Sequence, residues 1–171
     1  MATGLYGTRR KVFVSYHHGG DQAWYDEFST AFHDRLQLLT DNSLERRIDS
    51  HDVDYILRRI REHHMHGSSC TIVLCGANTS RRRYVDWEIL ASLNQRMALV
   101  GVWLPTLPQE PNGGTNKPAR LQDNINSGYA VWTRWSAIAA DHRVLLDTIE
   151  EAVARSPTRI DNSRARMLRN R

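Results

Sequence analysis

The stretch SRRRYVDWEIL, Ser80 to Leu90, holds the residues of this sequence best suited to chemistry. Glu88 supplies a carboxylate, and Tyr84 and Trp87 supply aromatic surface close to it. A carboxylate beside a sugar ring can hydrogen-bond its hydroxyls and stabilise positive charge developing at the anomeric carbon. Aromatic side chains can pack a base or sugar ring and exclude water. A lone helical glutamate is usually a solvated surface group, so the elements around Glu88 must decide between the two interpretations.

The surrounding pattern predicts that Glu88 lies on a helix directly after a central strand. Val85, Ile89, Leu93 and Met97 recur every four residues and form one apolar ridge of a helix. The preceding run CTIVLCG, Cys70–Gly76, is continuous and rich in β-branched residues. Such a run is typical of a parallel strand that is buried on both faces.

Strand-like and helix-like segments alternate along the whole chain. The first strand is KVFVSY, Lys11–Tyr16, followed by the loop HHGGD and a helix from about Asp21. The apolar residues of that helix are Trp24, Phe28, Ala31, Phe32, Leu36 and Leu39. The later elements are a weak edge strand at Leu44–Asp49, a helix capped by Asp52 and ended by Gly67, strands at Ala98–Pro105 and Tyr129–Trp135, and a last helix from about Ile138 to Arg155. A long irregular stretch, Thr106–Ser127, separates the last two strands.

This alternation predicts an α/β fold of three layers, with a central, mainly parallel sheet and helices on both faces. Ligands of such folds bind at the carboxyl ends of the strands, where the strand order switches. We therefore expect the loops after the first and central strands and the Glu88 helix to converge on one crevice. The side chains expected to contact a ligand there are Ser15, Tyr16, His17, Asn78, Tyr84 and Trp87.

Several common sites have no signature in the sequence. HHGGD is neither a GxGxxG nor a Walker sequence, and no GxSxG elbow is present. Cys70 and Cys75 are expected on opposite faces of their strand as small core residues. The histidines of REHHMHG, residues 61–67, point in different directions on a helix, so we predict no metal site.

Composition predicts one soluble domain. The 171 residues are 40% hydrophobic, with a formal net charge of +4. No apolar run reaches membrane-spanning length and no secretory signal is apparent, so a cytoplasmic location without membrane contact is expected. We assign residues 1–155 to the domain and 156–171 to a basic, flexible tail. That tail could contact an acidic partner, but no nucleic-acid motif accompanies it, so nucleic acid is not an expected partner.

Two of these motifs resemble a known family. KVFVSYHHGGD resembles the first box of TIR domains, in which a strand ends in Ser–aromatic and opens into a polar loop. SSCTIVLCGANTSRRRYVDWEI resembles more specifically the TIR-like proteins of the bacterial Thoeris antiphage system, the ThsB type. The matching positions are Gly76, Thr79, Arg82, Arg83, Val85, Trp87, Glu88 and Ile89. The resemblance covers roughly Arg10 to Leu104.

The resemblance implies a flavodoxin-like fold and an enzyme that consumes NAD as its substrate and needs no other cofactor. Such proteins cleave the nicotinamide–ribose bond, with the glutamate matching Glu88 as the catalytic residue. Those of the Thoeris type, triggered by phage infection, make a cyclic ADP-ribose isomer that activates a separate effector protein. TIR enzymes often act as homo-oligomers. Many carry Ser or Cys shortly before the glutamate, where this sequence has Arg83 to Asp86, as the Thoeris type does.

Other function classes remain open at this point. Similar folds serve as non-catalytic adaptors or nucleotide-binding modules, because fold alone does not decide function. A flavin-binding or receiver domain fits less well. The loop HHGGDQ lacks the Ser/Thr-rich phosphate loop of the former, and the strand ends lack the acidic cluster of the latter.

Overall fold

A computed structural model describes residues 9–40 and 52–171 of the chain. Its centre is a sheet in which every neighbouring pair of strands is parallel. The strands are β1 (Arg10–Ser15), β2 (Leu36–Leu39), β3 (Cys70–Cys75), β4 (Ala98–Trp103) and β5 (Val131–Arg134). Their order across the sheet is β2-β1-β3-β4-β5.

Helices cover both faces of this sheet. They are α1 (His18–Phe32), α2 (Val53–Arg59), α3 (Arg83–Asn94), α4 (Ala119–Asn126), α5 (Trp135–Ala140) and α6 (His142–Ala154). Helices α1, α5 and α6 pack with one core cluster, and α2, α3 and α4 pack with the other two. Successive strand residues point to opposite faces, so Cys70 lies in the first cluster and Cys75 in the second.

The strand order is that of flavodoxin-like folds, and it switches direction between β1 and β3. The predicted fold class is therefore confirmed. Carboxyl ends of β1 and β3 lie side by side, because Ser15 is in register with Val73. The loops that follow these two strands consequently lie at one edge of the sheet.

The end of the first predicted helix was assigned wrongly. Helix α1 ends at Phe32, and the residues that continue its apolar spacing form strand β2 beside β1. Leu36 is buried in the core from this strand position. A spacing of three or four residues suits either structure over so short a run, and pairing with the edge of β1 decides it. The edge strand predicted at Leu44–Asp49 lies outside the described residues.

Two further boundaries differ from the prediction. The stretch Thr106–Ser127 is irregular only in its first half, because α4 begins at Ala119, directly after Pro118. Pro118 explains the sharp start, since proline is tolerated before a helix but not inside it. The last predicted helix is two helices, α5 and α6, separated at Asp141, whose side chain accepts a hydrogen bond from the backbone N–H of Arg143.

The segment 160–171 runs along α3, from the C-terminal end of that helix towards its N-terminus. The amide of Asn162 donates to Asn94 Oδ1 at one end, and the backbone N–H of Arg171 donates to the carbonyl of Arg81 at the other. The backbone N–H of Arg83, at the start of α3, donates to Asn170 Oδ1 at 2.9 Å. The structure thus places most of the expected tail against the domain, while the boundary at residue 155 stays a prediction.

Candidate functional site

Glu88 and Ser15 meet at the edge of the sheet where the strand order switches. Ser15 is the last residue of β1, and its hydroxyl donates a hydrogen bond to Glu88 Oε2. Glu88 is 4% exposed and Ser15 is 1% exposed. The carboxylate is therefore a buried group held at the predicted crevice, and the solvated-surface interpretation of Glu88 is wrong.

The alternation of β1 explains why Ser15 faces the Glu88 helix. Phe13 packs on the α2–α3 side of the sheet, whereas Val14 and Tyr16 pack on the α1–α6 side. Ser15, one residue after Val14, therefore points to the α3 side. Helix α3 is fixed below the site by Ser92, whose hydroxyl donates to the carbonyl of Glu88 at 2.9 Å and lies 2.6 Å from Thr71 Oγ1 of β3.

The loop after β3 is tied to the start of α1 by Asp21. The hydroxyl of Thr79 donates to Asp21 Oδ2 at 3.2 Å, and the backbone N–H of Gly76 donates to Thr79 Oγ1 at 2.8 Å. A Cβ atom on Gly76 would lie 2.6 Å from the carboxyl carbon of Asp21, so only glycine leaves room for this carboxylate. Burial raises the pKa of Asp21, although the Thr79 hydrogen bond and His17 act in the opposite direction.

His17 and Tyr16 are both buried beside this loop. His17 is 7% exposed, and its ring lies so close over Gly20 that a Cβ there would be 2.7 Å from Nδ1. Tyr16 stacks on Tyr25 with the ring centroids 4.6 Å apart, and its hydroxyl donates to Gln22 Oε1 at 2.9 Å. Burial raises the pKa of Tyr16 to about 12. Both rings are thus packed at the predicted edge of the sheet.

The other predicted ligand contacts are spread around α3 and its loop. Asn78 is exposed, directly before the 3₁₀ turn Thr79–Arg81. Tyr84 and Trp87 pack edge to face, 5.3 Å apart, within the cluster formed with α2. The indole N–H of Trp87 donates to the carbonyl of Met167 at 2.8 Å, so this ring faces the C-terminal segment. Of the predicted ligand contacts, the direct hydrogen bond to Glu88 comes from Ser15.

Sequence reasoning missed three buried polar residues around the site, namely Asp21, Asp86 and Arg120. Asp21 could have been suspected, since it is the acidic residue that ends the polar loop HHGGD. Asp86 and Arg120 form an ion pair at 2.9 Å across 34 positions of sequence. No local pattern signals such a contact.

The arrangement offers one buried carboxylate, a serine hydroxyl that fixes it, and an adjacent loop with backbone groups. Such a carboxylate can stabilise a developing cation at short range, because a dry site strengthens electrostatic interactions. Within residues 9–40 and 52–171, no group of three or more His, Cys, Asp or Glu side chains could hold a metal ion. The side chains of His63 and His64 lie outside this description. In the same part of the chain, every helix is too short or too polar to cross a membrane.

The sequence matches one protein family over residues 13–109, which include both Ser15 and Glu88. The family is described as Thoeris protein ThsB, TIR-like domain. This chain belongs to that family. The resemblance noted from the two sequence motifs is confirmed, and the TIR-like domain is one that occurs in an antiphage defence system.

Among solved structures, the chain is similar to the TIR domains of the activated Roq1 resistosome, which directly recognizes the pathogen effector XopQ. The sequence identity is 14%, the alignment covers 84% of this chain and 81% of the other, and the TM-score is 0.41. No curated protein sequence gives a significant match.

Proposed function

We propose that this TIR-like domain cleaves the nicotinamide–ribose bond of NAD, with Glu88 as the catalytic residue, and releases an ADP-ribose-type signalling nucleotide. The product would activate a separate effector protein during antiphage defence, after a phage-derived trigger. The observation that carries the proposal is the position of Glu88. Its carboxylate is buried at the switch point of a parallel sheet and accepts a hydrogen bond from the serine that ends β1.

One carboxylate is enough for this chemistry. The nicotinamide of NAD is cationic while bound and leaves as a neutral molecule, so its departure needs no general acid. The ribose carbon develops oxocarbenium character, which a nearby carboxylate stabilises. Ser15 would keep the Glu88 carboxylate in one orientation. Either water or a second group of the same nucleotide then attacks the ribose carbon, which gives a linear or a cyclic product.

The reaction requires this crevice to open. Glu88 is 4% exposed and Trp87 is 2% exposed, so a dinucleotide cannot reach the carboxylate in the structure described. A shift of the loop after β1 or of α3 would uncover it. Activation by a trigger or by self-association, as in a homo-oligomer, would supply the energy for such a shift.

The same burial favours one alternative, a non-catalytic adaptor or nucleotide-binding module. Glu88 would then serve only to join α3 to β1 through Ser15. A buried carboxylate is a costly way to make such a connection, because its desolvation must be offset by hydrogen bonds. The two functions differ in what they predict for NAD.

The test measures NAD and its products by liquid chromatography with mass detection. Cells expressing the protein are sampled before and after phage challenge, beside cells expressing Glu88→Gln. Glutamine keeps the shape of the side chain and can still accept from Ser15. Glu110→Gln is the matched control, because Glu110 is an exposed glutamate of the loop after β4.

An infection-dependent product with the mass of ADP-ribose less water, absent only from Glu88→Gln, would support a cyclase. A product with the mass of ADP-ribose would support hydrolysis by the same site. Unchanged NAD under several phages, in cells where the protein is present and folded, would favour the binding module. Full turnover by Glu88→Gln would overturn the assignment of Glu88.

A further inference from the structure

A second cavity lies on the side of α3 that faces the C-terminal segment. Its volume is about 900 Å³, and it is bounded by the turn before α3, the start of α4 and residues 161–171. Ligand sites for molecules of nucleotide size have volumes of roughly 300–1,000 Å³. The cavity is therefore large enough for a small phosphorylated molecule.

Arginines dominate the lining of this cavity. Five of them line it, together with three aspartates. Two of the aspartates already have arginine partners. Asp86 is paired with Arg120 at 2.9 Å, and Asp123 is paired with Arg164 at 2.6 Å. The third, Asp161, accepts hydrogen bonds from the backbone and hydroxyl of Ser163.

Three lining arginines keep an unmatched charge. Within the described part of the chain, no carboxylate lies at ion-pair distance from Arg82, Arg169 or Arg171, whereas Arg166 pairs with Asp54 at 3.0 Å. The Nε of Arg82 is buried and has no hydrogen-bond partner among the described residues. A buried donor without a partner is uncommon in folded proteins and often marks the place of a bound ion or ligand.

The segment that supplies two of these arginines is held firmly against the domain. Asp86 accepts from the backbone N–H of Met167 at 2.8 Å, and Arg120 donates to the carbonyls of Arg164 and Ala165. These contacts fix the backbone on which Arg169 and Arg171 are carried. Binding at this cavity would therefore not have to order a free tail, which lowers its entropic cost.

The cavity is distinct from the Glu88 site. Asp86 lines the cavity, and Glu88 follows it by two positions on the same helix. Two residues correspond to about 200° around a helix axis, so the two side chains lie on nearly opposite sides of α3.

We propose that this cavity binds a small molecule that carries a pyrophosphate group, such as a nucleoside diphosphate. Guanidinium groups match phosphate oxygens in geometry and charge, and often bind them through two parallel hydrogen bonds. Arg82 supplies one side of the site, and Arg169 and Arg171 supply the other. The enclosed shape favours a small molecule over a nucleic-acid duplex, which needs a long open surface. The site does not depend on the NAD reaction proposed for Glu88.

Isothermal titration calorimetry with inorganic pyrophosphate tests the site on the full chain at constant ionic strength. We expect Arg82→Gln and the double variant Arg169→Gln/Arg171→Gln each to weaken binding by about tenfold or more. Arg143→Gln is the control for loss of one positive charge, since Arg143 is exposed on α6 and does not line the cavity. Both Arg143→Gln and Glu88→Gln should bind pyrophosphate as the parent protein does. ADP should bind and adenosine should not.

Hydrogen exchange locates the site independently of any variant. Pyrophosphate should slow exchange in peptides that cover residues 161–171 and leave those around Ser15 unchanged. The proposal is overturned if pyrophosphate does not bind at millimolar concentration, if Arg143→Gln weakens binding as much as Arg82→Gln, or if protection appears around Ser15 instead. A short DNA duplex that binds more tightly than pyrophosphate and loses affinity in the same variants would also overturn it. None of these outcomes bears on NAD turnover, so the two proposals fail separately.

Discussion

Arg120 and Asp86 form an ion pair that is almost completely removed from solvent. Arg120 Nε lies 2.9 Å from Asp86 Oδ1, and the two side chains are 0% and 5% exposed. The pair joins α4 to α3. The same guanidinium also donates to Asn162 Oδ1 at 2.8 Å, so the pair connects both helices to the C-terminal segment. A single buried cation thus holds together three parts of the chain that are distant in sequence.

Replacing Arg120 with methionine should destabilise the fold strongly. The variant leaves the Asp86 carboxylate buried without its partner, and breaking a buried ion pair in this way costs about 3–5 kcal/mol. Urea denaturation followed by circular dichroism measures the change in the free energy of unfolding. The double variant Arg120→Met/Asp86→Leu removes both charges and should recover part of the loss. A loss below about 1 kcal/mol in the single variant would show that the pair contributes little net stability.

Ser15→Ala should lower the rate of the proposed NAD reaction without unfolding the protein. The substitution removes the hydrogen bond that orients Glu88 and replaces a small buried side chain with a slightly smaller one. A hydrogen bond to a charged group contributes about 1.5–3 kcal/mol, which corresponds to a loss of about tenfold or more in kcat. NAD turnover in activated cells measures this, with the exposed Ser136→Ala as control. An unchanged rate would mean that Ser15 does not position Glu88 for catalysis.

The meeting of Ser15 and Glu88 could be predicted because it follows from general rules of parallel sheets. The alternation of strands and helices indicates the fold class, and ligand sites in that class lie at the carboxyl ends of the strands. The end of β1 and the helix after β3 must then be neighbours. Helical spacing places Glu88 beside the apolar ridge of α3, close enough to the sheet to be buried.

Contacts between distant segments could not be predicted in this way. The run Leu36–Leu39 fits a helix or a strand, and its pairing with β1 is what decides the outcome. The position of Trp87 against Met167 depends on a segment 80 residues further along the chain. Such contacts depend on the packed fold, and a single sequence carries no local signal for them.

Gly76→Ala should destabilise the protein because of Asp21. The added Cβ would lie 2.6 Å from the carboxyl carbon of Asp21, so the start of α1 or the loop after β3 must shift. Overpacking of this kind typically costs about 1–3 kcal/mol. In the background Asp21→Ala the same substitution should cost much less, because the clashing group is gone. Denaturation of the two single variants and the double variant measures this coupling, and equal costs of Gly76→Ala in both backgrounds would contradict the proposed contact.

The last prediction concerns the dependence of stability on pH. Burial raises the pKa of Asp21 above its ordinary value of 3.8 in the folded protein. The folded state therefore holds this proton more tightly than the unfolded state. Its contribution to stability is complete below pH 3.8 and is lost as the pH rises through the raised pKa. Asp21→Asn cannot titrate, so the free energy of unfolding of the parent protein should fall relative to that of the variant over this interval.

Asp141→Asn is the matched control with the opposite sign. The side-chain hydrogen bond from Arg143 lowers the pKa of Asp141, which is exposed between α5 and α6. Its contribution to stability is present above pH 3.8 and is lost as the pH falls through the lowered pKa. Urea denaturation of the parent and both variants across the acidic range measures the two differences. If the difference for Asp21→Asn is constant with pH, or has the same sign as that for Asp141→Asn, burial does not govern the titration of Asp21.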